Sequence, residues 1–165
     1  MELDNTLTPD QVKQYMTAGD YNQAIGVNHY KWTTSELFTF GASTCLVPIV
    51  VNEDFEILGM GHFVVSSPFL RPGGPTLHQE RFSLYVMEAS LMVSEAGNTQ
   101  MYLFGGTDGN PEYLQRSRNE AIKRFSTRGI ECTDLTPTEP QLVLELIITN
   151  LHTRTIQYHY GPAKS

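Results

Sequence analysis

Two side chains suited to nucleophilic chemistry stand 17 residues apart in this 165-residue chain, Cys45 and His62. The thiolate is the reactive form of cysteine, and a free thiol with a pKa near 8.5 holds little of it at neutral pH. An imidazole within reach takes the thiol proton and can later hand it to a leaving amine. A third group must then fix the tautomer of the imidazole, and Thr39, six residues before Cys45, offers a hydroxyl acceptor. An oxyanion produced by attack needs backbone N–H donors; the Gly41–Cys45 turn, with Ser43 and Thr44 in it, is their natural source. The structural alternative is equally concrete. A lone strand cysteine is most often a small buried hydrophobe, and a lone histidine a satisfied structural side chain.

The elements that must position these residues begin with a hairpin. Thr44–Val51 and Glu56–Val65 are apolar runs around the polar stretch Asn52-Glu53-Asp54-Phe55, the pattern of two antiparallel strands. Pairing Val51 with Glu56 sets Cys45 directly opposite His62, with Cβ atoms about 4.5–5.5 Å apart. A turn one residue shorter or longer, or a bulge at Pro48, shifts that pairing by one. Pro48 has no ladder donor, so its strand is expected at a sheet edge or bulged there.

Around the hairpin, Thr8-Pro9-Asp10-Gln11 reads as a capped start of a short helix ending near Gly19. Gln23–Tyr30 and Glu36–Phe40 read as strands. Ser66–Thr76 holds Pro68, Pro72, Gly73, Gly74 and Pro75, which makes it a loop and, on composition, a candidate lid. Phe82, Tyr85, Val86, Ala89, Met92, Val93 and Ala96 share one helical face, and Gly97 supplies the stop. Gln100–Phe104 is expected as a strand, followed by a tight backbone position at Gly105-Gly106. Asn110-Pro111 opens helical sequence to Gly129 with a break near Ser117, then come a strand at Ile130–Thr133 and a hairpin of Leu142–Thr149 and Thr153–Tyr160. This pattern predicts an α/β fold, a layered α/β sandwich with a mostly antiparallel sheet and one long packed helix. Length argues for a single domain over residues 1–165, with residues 1–20 as an N-terminal helical extension.

Composition narrows the function. Eleven Lys and Arg against 18 Asp and Glu give a net charge of −7, which argues against a nucleic-acid partner because phosphate binding rests on concentrated positive charge. The acidic start Met1-Glu2-Leu3-Asp4-Asn5 has no apolar signal region, and the longest apolar run, Cys45–Val51, is too short to span a bilayer. A cytoplasmic protein without membrane insertion is expected, with Cys45 and Cys132 as separate thiols rather than the single disulfide a secreted chain would form. Cys132 reads as a buried strand residue, with a resolving thiol as the alternative. Gly59-Met60-Gly61-His62 and Gly105-Gly106-Thr107-Asp108-Gly109 fit neither a phosphate loop nor a dinucleotide fingerprint. His29, His78, His152 and His159 show no zinc spacing with the cysteines, so no cofactor or metal is expected. Arg116, Arg118, Lys123, Arg124 and Arg128 make one helix basic, as a solvated face or a docking patch.

Thr39-Phe40-Gly41-Ala42-Ser43-Thr44-Cys45 with Gly59-Met60-Gly61-His62 resembles the chemoreceptor glutamine deamidase family, CheD. There a threonine six residues before the cysteine and a histidine 17 after it form the catalytic set, and both spacings hold here. Ala24-Ile25-Gly26-Val27 and Phe104-Gly105-Gly106 resemble further elements of that family, in order along residues 23–160. The family usually has Gly-Ser before the cysteine where this chain has Ser43-Thr44. Its Asp-x-Gly-Gly segment is replaced by Asp134-Leu135-Thr136-Pro137-Thr138-Glu139-Pro140. The resemblance implies a cysteine-dependent protein-glutamine deamidase, with Cys45 as nucleophile, His62 as base and Thr39 as its orienter. It implies a protein substrate presenting a glutamine, such as a chemotaxis receptor, and a possible signalling regulator as partner. The alternatives are a non-catalytic signalling or adaptor module on the same fold, and a thiol hydrolase of another amide or ester.

Overall fold

Every residue of Leu46–Asn52 is buried, so this strand must be covered on both faces and flanked on both edges. The computed structural model describes residues 1–65, 77–95 and 98–163, and it places that strand at the centre of a layered α/β sandwich. The strands are β1 (Glu2–Asp4), β2 (His29–Thr33), β3 (Glu36–Ala42), β4 (Leu46–Asn52), β5 (Ile57–His62), β6 (Thr99–Gly105), β7 (Glu131–Asp134), β8 (Leu142–Asn150) and β9 (Thr155–Pro162). The helices are α1 (Pro9–Ala18), α2 (Leu77–Glu95) and α3 (Pro111–Ser126). A four-stranded sheet runs β1-β9-β8-β3 and a five-stranded one β2-β5-β4-β6-β7. Pairing is antiparallel except for β1 with β9 and β6 with β7.

Alternation along β4 and β5 assigns their two faces. Val47, Ile49, Val51, Leu58 and Met60 pack between the sheets with Leu144, Ile147 and Ile156 of the other layer. Leu46, Val50 and Phe63 face the helices and meet Phe82, Tyr85, Ala89 and Phe125. The glycines of the Gly59-Met60-Gly61-His62 stretch lie on this helix side. A Cβ at Gly59 would lie 2.4 Å from the Trp32 ring, and one at Gly61 would lie 2.3 Å from the Phe63 ring. Their role is to admit two aromatic rings. Helix α1 closes the outer face of the four-stranded sheet, with Leu7 and Val12 against Phe38, Leu146 and Ile148.

Local chemistry explains the helix ends. Thr8 and Gln11 form the expected capping box on α1, and Asn110 caps α3 by accepting from the Tyr113 N–H. Phe82, Tyr85, Val86, Ala89 and Met92 form the buried face of α2 as expected. Ala96, Gly97 and the Ser66–Thr76 loop lie outside the described residues. Helix α3 has no break at Ser117; that side chain is fully buried and donates to the Tyr113 carbonyl 3.0 Å away, within the helix's own turn. The basic residues of α3 include Arg118, 3.2 Å from Asp134, and Arg124, 3.4 Å from Glu120.

Three strand expectations are corrected. Of the expected strand Gln23–Tyr30 only His29 and Tyr30 are in one, as the start of β2. Tyr21–Gln23 form a short 3₁₀ turn capped by Asp20, only Ala24 bridges to Phe38, and Asn28, at φ 62°, ends the irregular stretch before β2. The β4–β5 turn is Glu53–Glu56, with Glu56 at φ 53°, because Asn52 stays in the strand and its side chain accepts from the Phe55 N–H. Val51 therefore pairs with Leu58 rather than Glu56. Pro48 sits on a central strand, neither at an edge nor in a bulge. It pairs with Leu103 of β6, while on the β5 side pairing stops at Ile49–Met60 and resumes at Leu46–Phe63 in unchanged register. The ladder simply opens where the proline has no N–H to give, and the Pro48 carbonyl accepts from the Tyr85 hydroxyl of α2 at 2.8 Å.

Candidate functional site

The chain leaves the four-stranded sheet at Ala42 and enters the five-stranded one at Leu46, so Ser43, Thr44 and Cys45 form the crossing between layers. Gly41 begins that crossing at φ +74°, a left-handed conformation in which any Cβ is strained. The Phe104-Gly105-Gly106 stretch is the floor on which the crossing rests. A Cβ on Gly105 would lie 2.7 Å from the Cys45 carbonyl oxygen, and one on Gly106 would lie 1.9 Å from that of Ser43. Backbone bonds hold the two together: the Gly106 N–H donates to Cys45 O (3.2 Å) and the Asp108 N–H to Ser43 O (3.1 Å). These bonds use the carbonyls of the crossing and leave the Thr44 and Cys45 N–H groups outside them.

The segment Asp134–Pro140 braces the same floor. The Thr107 hydroxyl donates to Glu139 O at 2.8 Å and accepts from the Leu142 N–H at 2.9 Å. Thr107 thus anchors the chain one residue before the Asp108 N–H that holds Ser43.

His62 ends β5 on the inter-sheet face, in line with Leu58 and Met60. In the observed register it stands across from Val47, two residues from Cys45 on the same face. Cys45 and His62 are therefore not directly opposed, although Cys45 packs on the same inter-sheet side, with Val47, Leu58 and Met60. The correction follows from the turn. A shift by two residues preserves the face, because side chains alternate with period two. The thiol makes no hydrogen bond to the imidazole, whose Nε2 is buried and has no partner among the described residues.

Thr39 reaches the imidazole from the opposite layer. It lies on β3, is 1% exposed, and its Oγ1 sits 2.8 Å from His62 Nδ1 and 2.7 Å from the Ile25 carbonyl. A hydroxyl has one hydrogen, and a carbonyl only accepts. The Thr39 O–H therefore goes to Ile25 O, and its lone pair accepts from Nδ1–H. This fixes the tautomer that leaves Nε2 with a bare lone pair. Ile25 was not singled out by its sequence; a backbone carbonyl carries no residue-type signal.

Burial governs the charge state. It lowers His62 to about 4 and raises the Cys45 thiol to about 11, so thiol and imidazole rest as a neutral pair. Cys45 is 9% exposed and His62 1%. Ser43 and Thr44 are half-buried in the crossing, and both cysteines are free. The Cys132 thiol is half-buried on β7, directed at the Ile130 and Ile122 carbonyls, and is also raised to about 11 by burial. Among the described residues, no three His, Cys, Asp or Glu side chains come together as metal ligands, and no helix is long and apolar enough to cross a membrane.

Fold and site together define a two-sheet α/β protein in which a threonine–histidine pair spans the layers beside a buried cysteine. The sequence matches no protein-family model, and no curated protein is significantly similar to it.

Proposed function

We propose that this protein is a cysteine-dependent protein-glutamine deamidase of the CheD kind. The observation that carries the reading is the Thr39–His62 hydrogen bond, which leaves a buried Nε2 with no partner among the described residues on the inter-sheet side, where Cys45 also packs. With both groups neutral at rest, the base acts during attack rather than before it. Nε2 takes the thiol proton as sulfur bonds to the side-chain amide carbon. The tetrahedral oxyanion is held by the N–H groups of Thr44 and Cys45, which donate to none of the described residues. Collapse breaks the C–N bond, the imidazolium gives its proton to the leaving ammonia, and water then hydrolyses the thioester to glutamate with His62 again as base. The substrate is a glutamine displayed on another protein, a chemotaxis receptor being the one the resemblance implies.

One observation favours the second reading, a non-catalytic signalling module. Burial that raises the thiol to about 11 also keeps it protonated at neutral pH, the weakly nucleophilic form. Incubation with receptor fragments, read by mass spectrometry for amide-to-acid conversion, separates the two. The deamidase reading expects product from wild type and none from Cys45→Ala or His62→Ala. Equal product levels from wild type and Cys45→Ala overturn it.

A further inference from the structure

We propose that Asn28 is the positioning residue for the base, an inference that rests on the deamidase reading. His62 has an unusual need of such a residue. The Pro48 gap leaves Gly61 without a β4 partner, so the β4 ladder is interrupted just before the imidazole and is picked up again only at the Leu46–Phe63 bridge. On its other side His62 is held by β2, where His29 pairs with it, and by the residue just before β2.

That residue holds the strand end in two places at once. The Asn28 N–H donates to the His62 carbonyl, and its side-chain Oδ1 accepts from the Val64 N–H at 3.0 Å. Its own carbonyl accepts from Arg81 of α2 at 3.1 Å, which ties the clamp to the helix layer. Asn28 is 9% exposed and adopts φ 62°, a left-handed conformation that asparagine tolerates better than other residues bearing a Cβ. Thr39 fixes the rotation of the ring, whereas Asn28 fixes the peptide from which the ring hangs. Glycine would accept the backbone angle and even relieve it, so the carboxamide is what the site requires.

The test compares wild type with Asn28→Gly and Asn28→Asp. Imidazole nitrogen NMR reads the His62 tautomer, assigned through His62→Gln, and the deamidation assay yields kcat and KM. Asn28→Gly should fold as stably as wild type, mix or broaden the His62 tautomer signals, and lower kcat about tenfold or more at little-changed KM. Asn28→Asp keeps the Oδ1 acceptor and should retain the wild-type tautomer and most of kcat. An Asn28→Gly variant with wild-type tautomer signals and wild-type kcat overturns the proposal. A wild type that yields no glutamate, while Asn28→Gly still disturbs the tautomer, overturns the deamidase reading and leaves the positioning role of Asn28 standing.

Discussion

The Thr39 hydroxyl carries a single hydrogen, and that count sets the protonation of the whole constellation. Replacing Thr39 by Ala strands two buried groups, Nδ1–H of His62 and the Ile25 carbonyl, at a cost of about 1–3 kcal/mol. Deamidation should fall about 100-fold, since the base then samples the wrong tautomer. Thr39→Ser keeps the hydroxyl and should recover most of both; urea unfolding and initial rates check the pair. The pH profile of the reaction follows from the same burial. Because His62 is lowered to about 4, the rate should stay level as pH falls through 6.5, the ordinary histidine value, and drop only on approach to about 4. A profile breaking near 6.5 would show a solvated imidazole.

Elements deliver these residues through backbone detail. Gly106 is the most exacting position, because any Cβ there meets the Ser43 carbonyl, which cannot rotate away. Gly106→Ala should cost about 3 kcal/mol, seen as a fall of roughly 6–12 °C in Tm by calorimetry. Residue spacing alone singled out Cys45, His62 and Thr39, and it put the first two on one face of a hairpin. It did so through a register two residues off, and the error was harmless only because faces repeat every second residue. Helix starts were legible at Thr8 and Asn110, where caps announce themselves. Less was legible where tertiary context decides. Pro48 reads as an edge signal, yet the ladder opens on one side only and Tyr85 from a distant helix satisfies the Pro48 carbonyl there. Asn28 sits in a stretch rich in strand formers, and only its left-handed backbone reveals its part. The short strand β1 pairs with β9 across more than 150 residues of chain, beyond the range of any local pattern.

For the whole molecule, the buried neutral imidazole is a stability element as well as a chemical one. Its value of about 4 in the fold lies below 6.5 in the unfolded chain, so between the two the unfolded state binds more protons. The contribution is complete above pH 6.5 and is lost as pH falls toward about 4, amounting to about 3 kcal/mol. Urea midpoints of wild type should fall across that window more steeply than those of His62→Gln. The Cys45 thiol works at the other extreme, its contribution complete below about 9 and lost as pH rises from there to about 11. The Thr39–His62 hydrogen bond also crosses the seam of the sandwich, with Thr39 in one layer and His62 in the other. A sideways slip of one sheet over its neighbour would part oxygen from nitrogen while every strand stayed paired. The pair thus acts as a vernier, its hydrogen bond reporting a misalignment far smaller than any needed to unfold the protein.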